Sequence, residues 1–279
     1  MALVRSESVI GRGPLALLVL LLGAAPRPAH ADSDFWAEVR QPGTRAYMEE
    51  VTRARRALRA RRFNRATQLA QHASERLPER PEALVVLGLA RGELGDSEHG
   101  ATALERALER DPGALDDPLD GGQGADLLAR AGHHERASVL LGRLLGRMSE
   151  GPNRQNLYVL YGDVLSVLGP ERLSDAERAY REALRAVAHD PRAAIGLALV
   201  LHRQDGDEDE WRQLAELVAT RGRVDELLNS LPIPDPERFA RKAVALLAIG
   251  DLTGARSAWD HAREGVWAEH ARQASEALR

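Results

Sequence analysis

The sequence predicts an all-α protein, a solenoid of about six antiparallel helix pairs followed by a C-terminal capping helix. Composition is the first observation: Ala, Leu, Arg and Glu are abundant and only 4% of the 279 residues are aromatic, a balance that favours helices over strands. The second observation is a repeat, because small residues and a closing proline recur at an interval of 34 residues. The recurring pairs are Ala54 and Gly88, Ala66 and Gly100, Ala73 and Ala107, and Pro78 and Pro112.

Each 34-residue unit is expected to fold as two helices that cross closely. A close crossing requires small residues at the contact, which places Gly88 against Gly100 in the second unit. Gly95 predicts the break between the two helices of that unit, and Ser97 is expected to cap the second one. A two-helix unit buries no face of its own, so neighbouring units must stack on one another.

The 34-residue period and its small residues resemble the tetratricopeptide-repeat family. The resemblance implies a right-handed superhelical solenoid whose first helices line a concave groove, in which members of the family bind proteins or peptides. The first two units, residues 47–80 and 81–114, match the family pattern best. Four degenerate units follow, and they start near residues 118, 155, 192 and 237.

The first 31 residues have the pattern of a secretory signal peptide. Arg5 and Arg12 precede an apolar run from Leu15 to Ala25, and a small-x-small pair follows at Ala29 and Ala31. This pattern predicts cleavage after Ala31. Retention of the apolar run as an anchor is the alternative, although the run is short for a bilayer span. The mature chain is therefore expected in the periplasm or outside the cell, without stable insertion in a membrane.

Five segments are expected along the chain. They are the signal peptide (1–31), an N-terminal lead-in (32–46), repeats one to five (47–221), a Pro-rich inter-repeat segment (222–236), and repeat six with the capping helix (237–279). The Pro-rich segment is expected to form an irregular loop with a short helix, and a hinge or partner site is the alternative.

The net charge argues against nucleic-acid binding, and the cysteine content excludes disulfides and lipid attachment to cysteine. The formal net charge is −4, and it becomes −6 without residues 1–31, which hold three Arg and one Glu. A nucleic-acid binder normally carries the opposite sign. The chain has no cysteine, so neither disulfides nor a lipid-modified cysteine are available.

The sequence predicts no catalytic arrangement, no cofactor and no metal site, so the chain is not expected to be an enzyme. His133 and His134 lie at an expected interhelix turn without the further ligands that a zinc site needs. The acids from Asp205 to Glu216 have the spacing of a calcium loop, but Glu210 stands where that loop needs glycine. We interpret both groups as solvated residues at a turn and at a helix start.

A partner-binding site is expected where the resemblance places the concave groove. The candidate residues are Val51, Arg55, Arg59, Glu82, Val85 and Leu89, with Glu93, Asp126 and Arg130 further along. Arg55 and Arg59 are one helical turn apart, so both can orient an acidic group of a peptide by forked hydrogen bonds. The apolar side chains of that peptide would contact the valines and Leu89. Internal pairing of the two arginines with Glu82 and Glu93 is the alternative.

These patterns together predict a non-enzymatic periplasmic scaffold that binds a protein or peptide, for instance in an envelope assembly or secretion complex. The alternative is a module that recognises an anionic polymer or glycan of the cell envelope. Such a module would use the arginine-rich run 53–65, RARRALRARRFNR. Its binding should weaken steeply with ionic strength.

Overall fold

The computed structural model describes residues 43–148, 152–220 and 222–279. The expected signal peptide (1–31) and nearly all of the expected lead-in lie outside these residues. The described part contains fourteen α-helices and no β-strand. The helices are α1 (Thr44–Arg59), α2 (Phe63–Arg76), α3 (Pro81–Glu93), α4 (Ser97–Arg110), α5 (Pro118–Arg130), α6 (His134–Arg147), α7 (Pro152–Leu168), α8 (Leu173–Ala186), α9 (Pro191–Arg203), α10 (Glu208–Ala219), α11 (Val224–Asn229), α12 (Asp235–Ala248), α13 (Leu252–His261) and α14 (Ala268–Glu276). None of the described helices is long and apolar enough to cross a membrane.

Twelve of these helices form six antiparallel pairs, and residues Ala46–Arg279 form one compact unit. The pairs are α1/α2, α3/α4, α5/α6, α7/α8, α9/α10 and α12/α13. α11 is inserted before the last pair, and α14 follows it. The predicted all-α solenoid of helix pairs is therefore confirmed. Its pairs share two large apolar cores, because a two-helix unit reaches a buried core only by stacking on its neighbours.

The turn between α3 and α4 differs from the sequence prediction by one residue. Gly95 has a φ of +85° and ends the first helix as expected, but α4 already begins at Ser97. The expected capping by Ser97 is therefore wrong, and Asp96 occupies the capping position. The Asp96 carboxylate does not bind the backbone there, since it contacts His99 Nδ1 at 2.7 Å.

Glycine is required where the helices of one pair cross. A Cβ atom at Gly88 would lie 2.6 Å from Leu104 Cδ2 and 2.8 Å from the carbonyl oxygen of Gly100. Both distances are shorter than van der Waals contact, so no larger residue fits between α3 and α4 without moving the helices apart. In the fourth and fifth pairs, Gly162 and Gly196 both face the ring of Tyr180. The small residues of the repeat are therefore packing residues, as predicted.

The Pro-rich segment 222–236 packs against the helix pairs through three apolar side chains. α11 contributes Leu228, and the loop after it contributes Leu231 and Ile233, each no more than 4% exposed. All three belong to the core of the C-terminal pairs. The expected short helix is present, and the loop that follows it is anchored by burial.

Candidate functional site

The first helices of the second, third and fourth pairs line one open groove with a volume of about 780 Å³. We call it the α3–α5–α7 groove. Arg192 at the start of α9 lines it as well, and so does the chain from Ser230 to Pro232 after α11. The volume lies within the range of ligand-binding sites in proteins.

The floor of the α3–α5–α7 groove is apolar. Leu89 of α3, Leu127 of α5, and Leu157 and Val159 of α7 line it, and each belongs to the buried core. Leu119 lines the groove too, but 61% of it is exposed. An exposed leucine beside buried ones extends the apolar surface that a partner can cover.

Side-chain amides from two neighbouring helices lie along the same groove. Gln123 of α5 and Asn153 of α7 are exposed, and neither has a hydrogen-bond partner among the described residues. Asn156 accepts a hydrogen bond from Arg192 at 2.8 Å, which leaves its NH2 group available to another acceptor. Because a carboxamide both donates and accepts, these side chains can pair with the backbone of an extended peptide.

Three charged residues that the sequence placed in the groove line it in the structure: Glu93, Asp126 and Arg130. Arg130 Nε donates to Asp126 Oδ2 at 2.7 Å, and both side chains are partly exposed. Exposed pairs one helical turn apart contribute little to stability. A charged group of a partner can therefore replace either member of this pair at small cost.

Arg55 forms an ion pair that connects the first helix pair with the third. Its NH1 atom lies 3.1 Å from Oδ2 of Asp120 in α5. Glu82 has other contacts, since it accepts a hydrogen bond from Tyr47 OH at 3.0 Å and pairs with Arg80 at 2.8 Å. Arg55 is therefore paired internally, with Asp120 instead of the expected Glu82 or Glu93.

The remaining predicted site residues lie in different surroundings. Val51 and Val85 are buried among the N-terminal helix pairs, and neither lines the α3–α5–α7 groove. Leu89 lines the groove floor. Arg59 is exposed, and no acidic group of the described residues lies within 4.0 Å of it. Recognition of a partner by Arg55 and Arg59 stays a prediction.

The amides of α7 are groove residues that the sequence did not predict. Asn153, Asn156 and Leu160 are spaced by three and four residues and all line the groove, which is the spacing of one helical face. That signal was present in the sequence. The fourth unit is degenerate, however, and α7 begins at Pro152, before the expected start near residue 155, so Asn153 fell outside the expected helix.

A buried charge cluster lies next to the groove, and Asp163 belongs to both. The members of the cluster are Asp163 and Ser166 of α7, Tyr180 of α8, Arg203 of α9, and Glu237 and Arg241 of α12. The four charged side chains are at most 3% exposed. Two carboxylates and two guanidinium groups give the cluster no net charge.

Every charge in the buried charge cluster has an opposite charge in contact with it. Arg241 NH1 lies 2.8 Å from Asp163 Oδ1, and Arg203 NH2 lies 2.7 Å from Glu237 Oε2. Tyr180 OH donates to Asp163 at 2.7 Å and accepts from Arg241 NH2 at 2.8 Å. These bonds connect α7 and α8 with α9 and α12.

The electrostatics of the cluster follow from its burial. Loss of water raises the pKa of Asp163, although Arg241 and Tyr180 act against this rise. Burial would also raise the pKa of Glu237, but Arg203 and Arg241 together hold it below the ordinary value. Because these side chains are shielded from solvent, we interpret the cluster as structural.

Three of the histidines, His133, His202 and His270, contact other side chains closely. His202 and His270 have ring centroids 5.3 Å apart, and Trp259 lies beside both. Burial lowers the pKa of each of the two histidines to about 4, so both are neutral at pH 7. His133 contacts Glu105 at 2.8 Å. No group of three or more His, Cys, Asp or Glu in the described chain is arranged to hold a metal ion.

The sequence matches no protein-family model and no curated protein. Solved structures with a similar fold include a double mutant of MamA from strain RS-1, with a TM-score of 0.50 and 18% identity over 64% of this chain and 96% of that one. PilF of Pseudomonas aeruginosa has a TM-score of 0.49 and 15% identity over 84% of this chain and 98% of that one. YrrB, a tetratricopeptide-repeat protein with an unusual peptide-binding site, has a TM-score of 0.43 and 16% identity over 73% of this chain and 97% of that one.

At these identities the similarity concerns the fold alone. The chain itself has helix pairs in series, a 34-residue period in its first two units, and glycines at the helix crossings. The protein therefore has the tetratricopeptide-repeat fold.

Proposed function

We propose that this chain is a non-enzymatic scaffold that binds a segment of another protein in the α3–α5–α7 groove. The observation that carries the proposal is the groove itself, which combines an apolar floor with the exposed, unpartnered amides of Gln123 and Asn153. Apolar surface supplies affinity, and a few placed polar groups fix the orientation of what is bound.

The groove favours a short extended segment with apolar side chains. Leu89, Leu127 and Leu157 can receive those side chains. The amides can pair with the peptide backbone, which every extended segment presents. Because Leu231 and Pro232 line the same groove, the Pro-rich segment of the chain itself limits the length that is open to a partner.

Arg55 and Arg59 are proposed to orient an acidic group of the bound segment. Asp120 is already the counter-ion of Arg55, so a carboxylate of the partner competes with it there. Arg59 is exposed and can form a forked hydrogen bond with a carboxylate. In this proposal Val51 and Val85 support α1 and α3 from inside the core.

The proposal places the protein in the periplasm or outside the cell, where it would serve an envelope assembly or secretion complex. The reason is the signal-peptide pattern of residues 1–31. Intact-mass measurement of the protein from its native cells should give a chain that begins at Asp32. A mass that still includes Met1 would contradict cleavage.

A photo-crosslinking amino acid at Gln123 should capture the partner, whereas the same amino acid at Val139 should not. Gln123 is exposed inside the groove, and Val139 is 67% exposed on α6, outside the groove lining. Neither replacement should disturb the fold, because both positions are on the surface. Mass spectrometry of crosslinked products from native envelope extract measures the outcome. Equal crosslinking at the two positions would exclude the groove as the binding site.

The contribution of Arg59 to partner binding is measured in the variant that carries the photo-crosslinking amino acid at position 123. Arg59→Glu should reduce the yield of the partner at least about tenfold, because a charge-assisted hydrogen bond is replaced by repulsion. Arg106→Glu is the matched control at an exposed position of α4, and it should leave the yield unchanged. An unchanged yield with Arg59→Glu would remove Arg59 from the site and retain the groove.

A further inference from the structure

Positive charge is concentrated in one stretch of the chain. Residues 51–74 contain seven arginines and neither Asp nor Glu, although the whole chain carries a net charge of −4. Two of the seven have acidic neighbours: Arg55 pairs with Asp120 at 3.1 Å, and Arg53 lies 3.5 Å from Glu49. The other five arginines of this stretch have no acidic neighbour among the described residues, so they make this part of the surface positively charged.

Four of these arginines surround the turn between α1 and α2. We call Arg56, Arg61, Arg62 and Arg65 the arginine edge. The Arg62 backbone N–H donates to the carbonyl of Ala57 at 2.9 Å, which holds the start of α2 beside the last turn of α1. All four residues are exposed, and no acidic group of the described residues lies within 4.0 Å of their side chains.

The stability of the fold does not account for these charges. Arg62 and Arg65 lie at the N-terminal end of α2, where the helix dipole favours acids, and the first turn of α2 contains none. Arg61 has a φ of +56°, a backbone conformation that is unfavourable for residues other than glycine. Like charges around one turn also repel one another. An anionic surface placed against the turn would relieve this repulsion.

We propose that the arginine edge binds an anionic phospholipid surface. All four arginines are exposed, and they lie in or within one helical turn of the turn between α1 and α2. None of the four lines the α3–α5–α7 groove, so the two surfaces can act independently. Each arginine near such a surface adds to the attraction, and guanidinium groups fit phosphate oxygens well. Because the chain is negative as a whole, an anionic bilayer orients it with this turn towards the lipid.

Cosedimentation of the full chain with phosphatidylcholine vesicles that contain phosphatidylglycerol tests this proposal. The wild type should bind these vesicles more tightly than vesicles of phosphatidylcholine alone, and added NaCl should weaken the binding. Arg62→Glu with Arg65→Glu should reduce the affinity at least about tenfold. The two replacements improve the charge at the start of α2, so the Tm should not fall. Residues 1–31 are identical in all variants, and a difference between variants therefore reports the edge.

Arg178→Glu with Arg185→Glu is the matched control. Both side chains are exposed on α8, at 78% and 71%, and the change in net charge is the same. This control should bind the vesicles as the wild type does. Equal affinities of the two double variants, or a wild type without preference for phosphatidylglycerol, would overturn the proposal. Tighter binding to soluble polyphosphate than to vesicles would also overturn it, in favour of a soluble polyanion.

Discussion

Replacing Arg241 with methionine should lower the free energy of unfolding by about 3–5 kcal/mol. The Arg241 side chain is fully buried and lies 2.8 Å from Asp163 and 2.8 Å from Tyr180 OH. Methionine fills much of the same volume, but it leaves the Asp163 carboxylate buried without its cation. Urea melts followed by circular dichroism measure the change. Equal midpoints for Arg241→Met and the wild type would show that the buried charge cluster does not hold the C-terminal pairs together.

Two further variants separate the unpaired charge from the lost volume. Arg241→Met combined with Asp163→Leu removes the ion pair as a whole. This double variant should be more stable than Arg241→Met alone, because no unpaired buried charge remains. Arg272→Met breaks pairs with Glu269 and Glu276 on the surface of α14. It should cost less than about 1 kcal/mol, since water solvates the carboxylates that are left.

Gly88→Leu should destabilise the protein by about 3 kcal/mol, at the upper end of the range for overpacked cores. Even the first carbon of the new side chain would lie 2.8 Å from the Gly100 carbonyl oxygen. Rotation of a side chain cannot relieve a contact with backbone, so α3 and α4 have to separate. The loss should appear as a lower urea midpoint.

Gly146→Leu is the matched control for Gly88→Leu. Gly146 lies near the end of α6, is exposed, and a Cβ there would meet no atom within 4 Å. Leucine is also a better helix former than glycine. The control should be as stable as the wild type or slightly more stable. If both variants lost stability equally, close crossing of α3 and α4 could not be the reason.

Local rules account for the parts of the fold and site that the sequence predicts well. The break at Gly95 and the contact of Gly88 with Gly100 follow from spacing, because small residues and helix breakers recur wherever the helix pair recurs. Leu89, Glu93 and Asp126 line the α3–α5–α7 groove, on the helices where the resemblance to the family implied a groove. Each of these predictions depends only on a residue's position within its own unit.

Partners that are distant in the chain were not predictable in this way. Arg55 of the first unit pairs with Asp120 of the third, whereas the expected partners, Glu82 and Glu93, both belong to the second unit. Val51 and Val85 are buried because the helices on both sides cover them. How much of each valine the neighbouring helices bury depends on the angle between stacked helix pairs, and the spacing of residues within one unit does not encode that angle.

The sequence by itself determined the all-α class, the helix-pair repeat and the glycine crossings. Only the tertiary structure decided that Glu237 and Arg241 are buried. The two residues are four positions apart, which is the spacing of an exposed ion pair on a helix surface. In the folded chain both are buried against Asp163, Ser166 and Arg203. The physical reason is that a periodic pattern encodes contacts within one unit and its neighbours. Burial of a charge depends instead on which surfaces of distant units cover it, and that arrangement exists only once the helix pairs have stacked.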